Sequence, residues 1–221
     1  MTFSIVGRCA STGMVGMAIS TSSIAVTGRC VWVRGKVGAV ATQNITDPAL
    51  GTRILHLMAG GTPADRAVQQ AAEETPHRDW RQLSAIDMKG GTGHYTGAKA
   101  SPVAASKIGR DCVAAGNILA NGDVPIAMAR RFEAETGIHL AERLLLALEA
   151  GLVAGGEHGP VHSAGLLVAH QQAWSIVNLR VDWADDGPIA RLRALWEAYQ
   201  PQMQDYLTRA IDPPRAPGTP P

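Results

Sequence analysis

Thr2-Phe3-Ser4-Ile5-Val6-Gly7-Arg8 leads through Cys9-Ala10-Ser11-Thr12-Gly13 into Met14-Val15-Gly16-Met17-Ala18-Ile19-Ser20. Phe3 to Gly7 is short and apolar, Ala10 to Gly13 is turn-forming, and Met14 to Ser20 is an apolar run of strand length. The segment therefore reads strand, turn, strand. Hairpin-linked strands imply antiparallel sheets, unlike the strict strand–helix alternation of a Rossmann-type fold. Their nearly continuous apolar character implies sheets covered on both faces.

Working outward, Thr21-Ser22-Ser23 is a polar loop, and Val31 to Gln43 reads as two strands hinged at Gly35-Lys36. Asp47-Pro48 predicts a helix start, with Asp as cap and Pro in the first turn, running toward Met58 before Gly60-Gly61 stops it. Thr62-Pro63-Ala64-Asp65 repeats the signal as a capping-box variant, with Ala64, Ala67, Val68, Ala71 and Ala72 on one face. Gln82–Met88 and Gly93–Thr96 flank a Gly-containing hairpin connection. Asp111–Leu119 is apolar enough for a buried central strand, and Val124–Thr136 and Leu140–Leu152 read as a helix pair. Ser163–Ala169 and Ala173–Val181 form a strand pair, and Ile189–Ala210 a last helix in which Trp196, with nearby Trp183, serves packing. The expected fold is α+β, a four-layer sandwich of two mainly antiparallel sheets with helices on both outer faces. Residues 1–211 form its single domain, and the Pro-rich tail, 212–221, is expected to be disordered.

Composition narrows the function. Of 221 residues 46% are hydrophobic, enough for a sizeable core, and 20 basic residues balance 19 acidic ones. Without a basic run or a spanning apolar stretch, neither nucleic acid nor a membrane is the expected partner. The opening lacks the apolar core of a secretory signal, so the cytoplasm is the expected location. Three widely spaced cysteines fit reduced thiols. No zinc spacing, Walker loop, Gly-x-Ser-x-Gly elbow or dinucleotide fingerprint occurs, so no metal and no cofactor are expected.

One residue carries chemistry by its position. A threonine hydroxyl is a weak nucleophile unless a base takes its proton, and a free α-amine on the same residue supplies one. With a reference pKa of about 7.7–8.0, that amine is partly neutral near neutral pH. Removal of Met1 would give Thr2 such an amine at the head of a strand. Many proteins carry an inert threonine in that position, and the feature alone does not separate the two cases.

Met1-Thr2-Phe3-Ser4-Ile5-Val6-Gly7-Arg8, Val37-Gly38-Ala39-Val40-Ala41-Thr42-Gln43 and Gly116-Asn117-Ile118-Leu119-Ala120 resemble a bacterial family known as domain of unknown function 1028. So do Leu140-Ala141-Glu142-Arg143-Leu144-Leu145, Ser163-Ala164-Gly165-Leu166-Leu167-Val168 and Leu179-Arg180-Val181-Asp182. The resemblance covers nearly everything but the tail. It implies an αββα sandwich of the N-terminal-nucleophile (Ntn) hydrolase type and brings no substrate with it. Ala10–Gly13 and Ser20–Ser23 depart from the family pattern.

In Ntn hydrolases the end of the second strand and a basic residue on the third flank the nucleophile. That points to Thr21 and Ser22 and to Arg34, with Lys36 a weaker choice and solvent exposure the alternative for Arg34. Gln43 and Asn44 are candidates for an oxyanion hole, or for shaping the turn before Asp47. Asn117, a buried amide in an apolar strand, is either a staple or a ligand contact. His94 and His162 near strand ends are candidates for proton transfer or substrate contact. The expected activity is hydrolysis of a small-molecule amide by a homo-oligomer. Its rivals are a non-catalytic binding or assembly protein, and an enzyme using His94 or His162 without Thr2.

Overall fold

A computed structural model describes residues 1–218. The strands are β1 (Thr2–Arg8), β2 (Val15–Thr21), β3 (Val31–Arg34), β4 (Gly38–Asn44), β5 (Arg81–Asp87), β6 (Thr92–Thr96), β7 (Ala105–Gly109), β8 (Cys112–Asn117), β9 (Ser163–Ala169) and β10 (Ser175–Val181). The helices are α1 (Thr27–Cys30), α2 (Pro48–Ala59), α3 (Ala64–Glu74), α4 (Val124–Ala134), α5 (Leu140–Val153), α6 (Pro188–Tyr199) and α7 (Met203–Ile211). A six-stranded sheet runs β10-β9-β2-β1-β8-β7 and a four-stranded sheet runs β3-β4-β5-β6, every pairing antiparallel. The sheets pack face to face through β1, β2, β4 and β5. Helices α4, α5 and α6 cover the larger sheet, and α2 and α3 the smaller. This is the expected αββα sandwich.

The period of two along β1 assigns its residues to two cores. Phe3 and Ile5 join the core beneath α4 and α5, whereas Val6 joins Met17, Ile19, Ala39, Ala41, Ile86 and Val113 between the sheets. Both faces are buried, which is why the strand reads as a run and not as an alternation. Gly7 opposes Gly16 across the hairpin. A Cβ on Gly7 would lie 2.7 Å from the Phe132 ring, and one on Gly16 would run into the Leu167 carbonyl and lie 3.0 Å from Leu144. This glycine pair lets the helix layer approach the sheet. Gly16→Ala should therefore lower stability by about 1–3 kcal/mol. Urea unfolding checks this, and an unchanged midpoint would speak against so close a fit.

Several local readings need correction. The last helix is two, because Pro201 interrupts it and Gln200–Gln202 form a 3-10 turn between α6 and α7. Thr62 does not cap α3; the residue before that helix is Pro63, and Asp87 Oδ2 accepts from the Ala64 N–H at 3.2 Å. Asp47 does cap α2, accepting from Ala49 N–H at 3.0 Å. Trp196 is fully buried and donates to Glu142 at 2.7 Å, whereas Trp183 is half exposed and stacks on His162. Of the tail, Pro213–Arg215 form a 3-10 turn, and residues 219–221 lie outside the described residues. Among the described residues no helix is long and apolar enough to cross a membrane.

Candidate active site

The space between the sheets is apolar toward one pole and polar toward the other, and strand register explains why. Thr2 and Ser4 lie on the same face of β1 as Val6. Asn117 opposes Thr2, and Gln82 opposes both Gln43 and Thr96. The pole where β1 begins thus gathers Thr2, Ser4, Thr21, Gln43, Gln82 and Asn117, all at most 5% exposed.

Buried polar groups are costly unless hydrogen-bonded, and here they form a chain. Ser4 Oγ donates to Gln43 Oε1 at 2.7 Å, and Gln43 Nε2 donates to Gln82 Oε1 at 2.7 Å. Gln82 Oε1 also accepts from Asn117 Nδ2 at 3.0 Å, while Gln82 Nε2 donates to the Gly116 carbonyl at 3.0 Å and to Thr96 Oγ1 at 3.2 Å. One atom is left over: Asn117 Oδ1 is buried without a partner. It lies on the residue that faces Thr2 across the β1–β8 ladder.

The Thr2 hydroxyl lies 3.3 Å from Thr21 Oγ1, and both hydroxyls donate to the Met1 carbonyl. With Met1 in place the Thr2 hydroxyl is capped by its own neighbour. Beside it stands Glu157, 5% exposed, from the Gly155-Gly156-Glu157 loop after α5. Its carboxylate accepts the Ser22 N–H at 3.0 and 3.3 Å. Burial pushes its pKa up to about 7, against the pull of the N-terminal amine and the Ser22 and Thr21 hydrogen bonds. Glu157 also forms part of the wall of a cavity of 370 Å³, whose lining combines Leu152, Pro160, Val161 and Ile189 with the carboxylates of Asp185 and Asp186.

The residues singled out from sequence fall into groups. Thr2, Thr21, Ser22, Gln43 and Asn117 converge on this pole. Asn44 lies there too, at φ +70°, but its side chain clamps loops, donating to Trp80 O at 2.7 Å and accepting from Ser101 N–H at 3.2 Å. His94 faces the same layer farther along, between Ser84 at 3.1 Å and Thr96 at 2.8 Å, and burial pushes its pKa down to about 4. His162 gives its N–H to Thr21 O at 2.8 Å, with its ring against Trp183 and the Ala184 carbonyl. Arg34 is not brought into the group: it is exposed and opposes Gly38 at the turn end of β3–β4, the pole opposite Gln43. Lys36 sits in that same distant turn. The cation just before β3 is Arg29, on α1, whose guanidinium donates to Ile24 O at 2.7 Å.

Glu157 and Gln82 were not found from sequence. Gln82 sits at the start of a strand and shows no mark of its partners. Glu157 is a carboxylate within the Gly-rich run Gly155-Gly156-Glu157-His158-Gly159. That run was the available signal, since a buried acid in a backbone-permissive loop needs a reason.

A family model described as a family of unknown function (DUF1028) matches residues 2–192. The crystal structure of protein SPO2555 from Silicibacter pomeroyi, described as DUF1028, is 30% identical and superposes with a TM-score of 0.86, covering 93% of this chain and 89% of that one. An Anbu (Gly-1) mutant from Hyphomicrobium sp. strain MC1 aligns over 91% of this chain and 96% of its own, at 15% identity and a TM-score of 0.45. Anbu (ancestral beta-subunit) from Yersinia bercovieri covers 99% of both chains at 10% identity and a TM-score of 0.40. The two Anbu likenesses are distant. No curated protein matches. By the family match and by the structure of SPO2555, this chain belongs to the DUF1028 family.

Proposed function

We propose that the protein is an N-terminal-nucleophile amidohydrolase that cleaves a C–N amide bond of a small molecule, with Thr2 as nucleophile once Met1 is gone. The observation that carries this reading is the arrangement at the head of β1. A buried threonine hydroxyl, a second hydroxyl 3.3 Å away and a buried carboxylate meet where the new α-amine would arise.

Thr2 Oγ1 attacks the substrate carbonyl carbon while the α-amine takes its proton, and the amine leaving group receives that proton as the C–N bond breaks. Water then hydrolyses the acyl ester with the same amine as base. Glu157 holds the amine by charge and Thr21 orients the hydroxyl. Gln43 and Asn44 each commit one side-chain N–H, to Gln82 Oε1 and to Trp80 O, which fixes the pole and leaves each amide a second donor. Asn117 Oδ1 is the acceptor left for a substrate N–H. The cavity walled in part by Glu157, Asp185 and Asp186 suits a small molecule that joins an aliphatic part to a hydrogen-bond-donating or cationic group. Exposed Leu195, Tyr206 and Ile211 on α6 and α7 support self-association as part of the same reading.

A panel of linear amides, cyclic amides and N-acyl amino acids, assayed with wild type and Thr2→Ala, tests the proposal. Turnover by wild type alone is the expected result. Equal turnover by both would move the chemistry to another group, and binding without turnover by either would favour a non-catalytic role.

A further inference from the structure

The smaller sheet carries a second cavity on its other face. Along β5, Gln82 and Ile86 point between the sheets, whereas Leu83 and Ala85 join the core beneath α2 and α3. The period of two therefore sends Arg81 to the helix side, away from Thr2. Its neighbours agree. Arg81 Nη1 donates to the Ile45 carbonyl, and Nη2 lies 4.0 Å from Oδ2 of Asp47, the residue that caps α2. Here Arg81 lines a cavity of 410 Å³ together with Ile45, His77 and Trp80.

Arg81 is held in place but not satisfied. Its side chain is only 11% exposed, yet the bond to Ile45 is its one hydrogen bond among the described residues, and Nε is buried without a partner. Asp47 does not close the gap, because its Oδ1 is committed to the Ala49 N–H of the cap. The open Nε–Nη2 edge can grip an anion with two parallel N–H donors, and leaving it empty while buried is costly. The neighbouring wall is aromatic. Trp80 is 43% exposed but fixed: Asn44 donates to its carbonyl at 2.7 Å, and Lys99 Nζ stands 5.4 Å from its ring centroid. Half-exposed Ile45 adds aliphatic surface. A guanidinium edge, a second cation and a flat apolar wall at one cavity match an anionic group carried on a ring.

We propose that this cavity binds a small aromatic carboxylate, whose carboxylate takes the Nε–Nη2 edge of Arg81 and whose ring lies against Trp80. The site is separate from the Thr2 pole, because the smaller sheet stands between them, and it does not depend on the proposed amide hydrolysis.

Isothermal titration calorimetry tests this on the folded, full-length protein, with naphthalene-2-carboxylate, the neutral naphthalene-2-methanol and inorganic phosphate as probes. The expected result is saturable binding of the carboxylate, at least ~tenfold tighter than either other probe, and weakened at least ~tenfold in Arg81→Met and in Trp80→Ala. Thr2→Ala should bind the carboxylate as wild type does. No saturable binding, an alcohol or phosphate that binds as tightly, unchanged affinity in either pocket variant, or loss of binding in Thr2→Ala would overturn the proposal. If Arg81→Met does not fold, the ranking of the three probes in wild type and the Trp80→Ala result decide.

Discussion

Thr2→Ala is expected to lower amide turnover by on the order of 10⁴-fold or more while leaving the fold intact, because it removes the attacking atom and little else. The hydroxyl's bonds are to Thr21 Oγ1 and to the Met1 carbonyl, and the second is lost anyway when Met1 leaves. The change should therefore cost about 1 kcal/mol of stability or less. Thr2→Ser keeps the oxygen and should keep most of the activity. Comparing kcat/KM for the three proteins, alongside their melting temperatures, separates lost chemistry from lost structure. Activity in Thr2→Ala within tenfold of wild type would end the assignment.

Glu157→Gln should have an effect of opposite sign on stability and activity. The folded protein holds the Glu157 proton up to about pH 7, whereas an unburied glutamate gives its proton up near 4.5. Between those values the native state binds more protons than the unfolded state, so stability falls as pH rises. The contribution is whole below about 4.5 and lost once pH passes 7. Glutamine keeps an oxygen for the Ser22 N–H and has no charge to desolvate. In the Met1-bearing protein, at pH 8, the variant should be more stable than its parent, by on the order of 2 kcal/mol, and near pH 4.5 the gap should close. Turnover should nevertheless fall, by about 10²-fold, since the α-amine loses the charge beside it. Urea midpoints at the two pH values are the measurement, and a gap that does not depend on pH would show that Glu157 does not titrate in this window.

The parts of the fold legible in the sequence were those whose burial leaves a mark on residue type. The β1–β2 hairpin, β4, β8 and α5 carry apolar runs or faces, and Asp47-Pro48 announces α2. Strand β7 left no such mark, because Ser106, Lys107 and Ile108 on this sheet edge are exposed. The break between α6 and α7 needed the weight of Pro201 against an otherwise helical pattern. At the site, Thr21 could be placed beside Thr2 because strand ends follow from strand order, and Asn117 was marked by being an amide inside an apolar strand. Arg34 was drawn in by being the basic residue on the third strand. Yet the hairpin puts it beside the β3–β4 turn, and the register of Gly38 opposite Arg34 places it at the far pole. Glu157 reaches the site across 135 residues of chain from Ser22, a proximity that no local pattern encodes.

The central claim is that Thr2 acts through a free α-amine, and intact mass of the protein isolated from its own cells tests it most directly. The expected result is a homogeneous species lighter than the full sequence by one methionine residue, with Thr2 as the first residue in N-terminal sequencing. A homogeneous species that keeps Met1 would contradict the account, because the Thr2 hydroxyl would stay bound to the Met1 carbonyl and no amine would stand beside it.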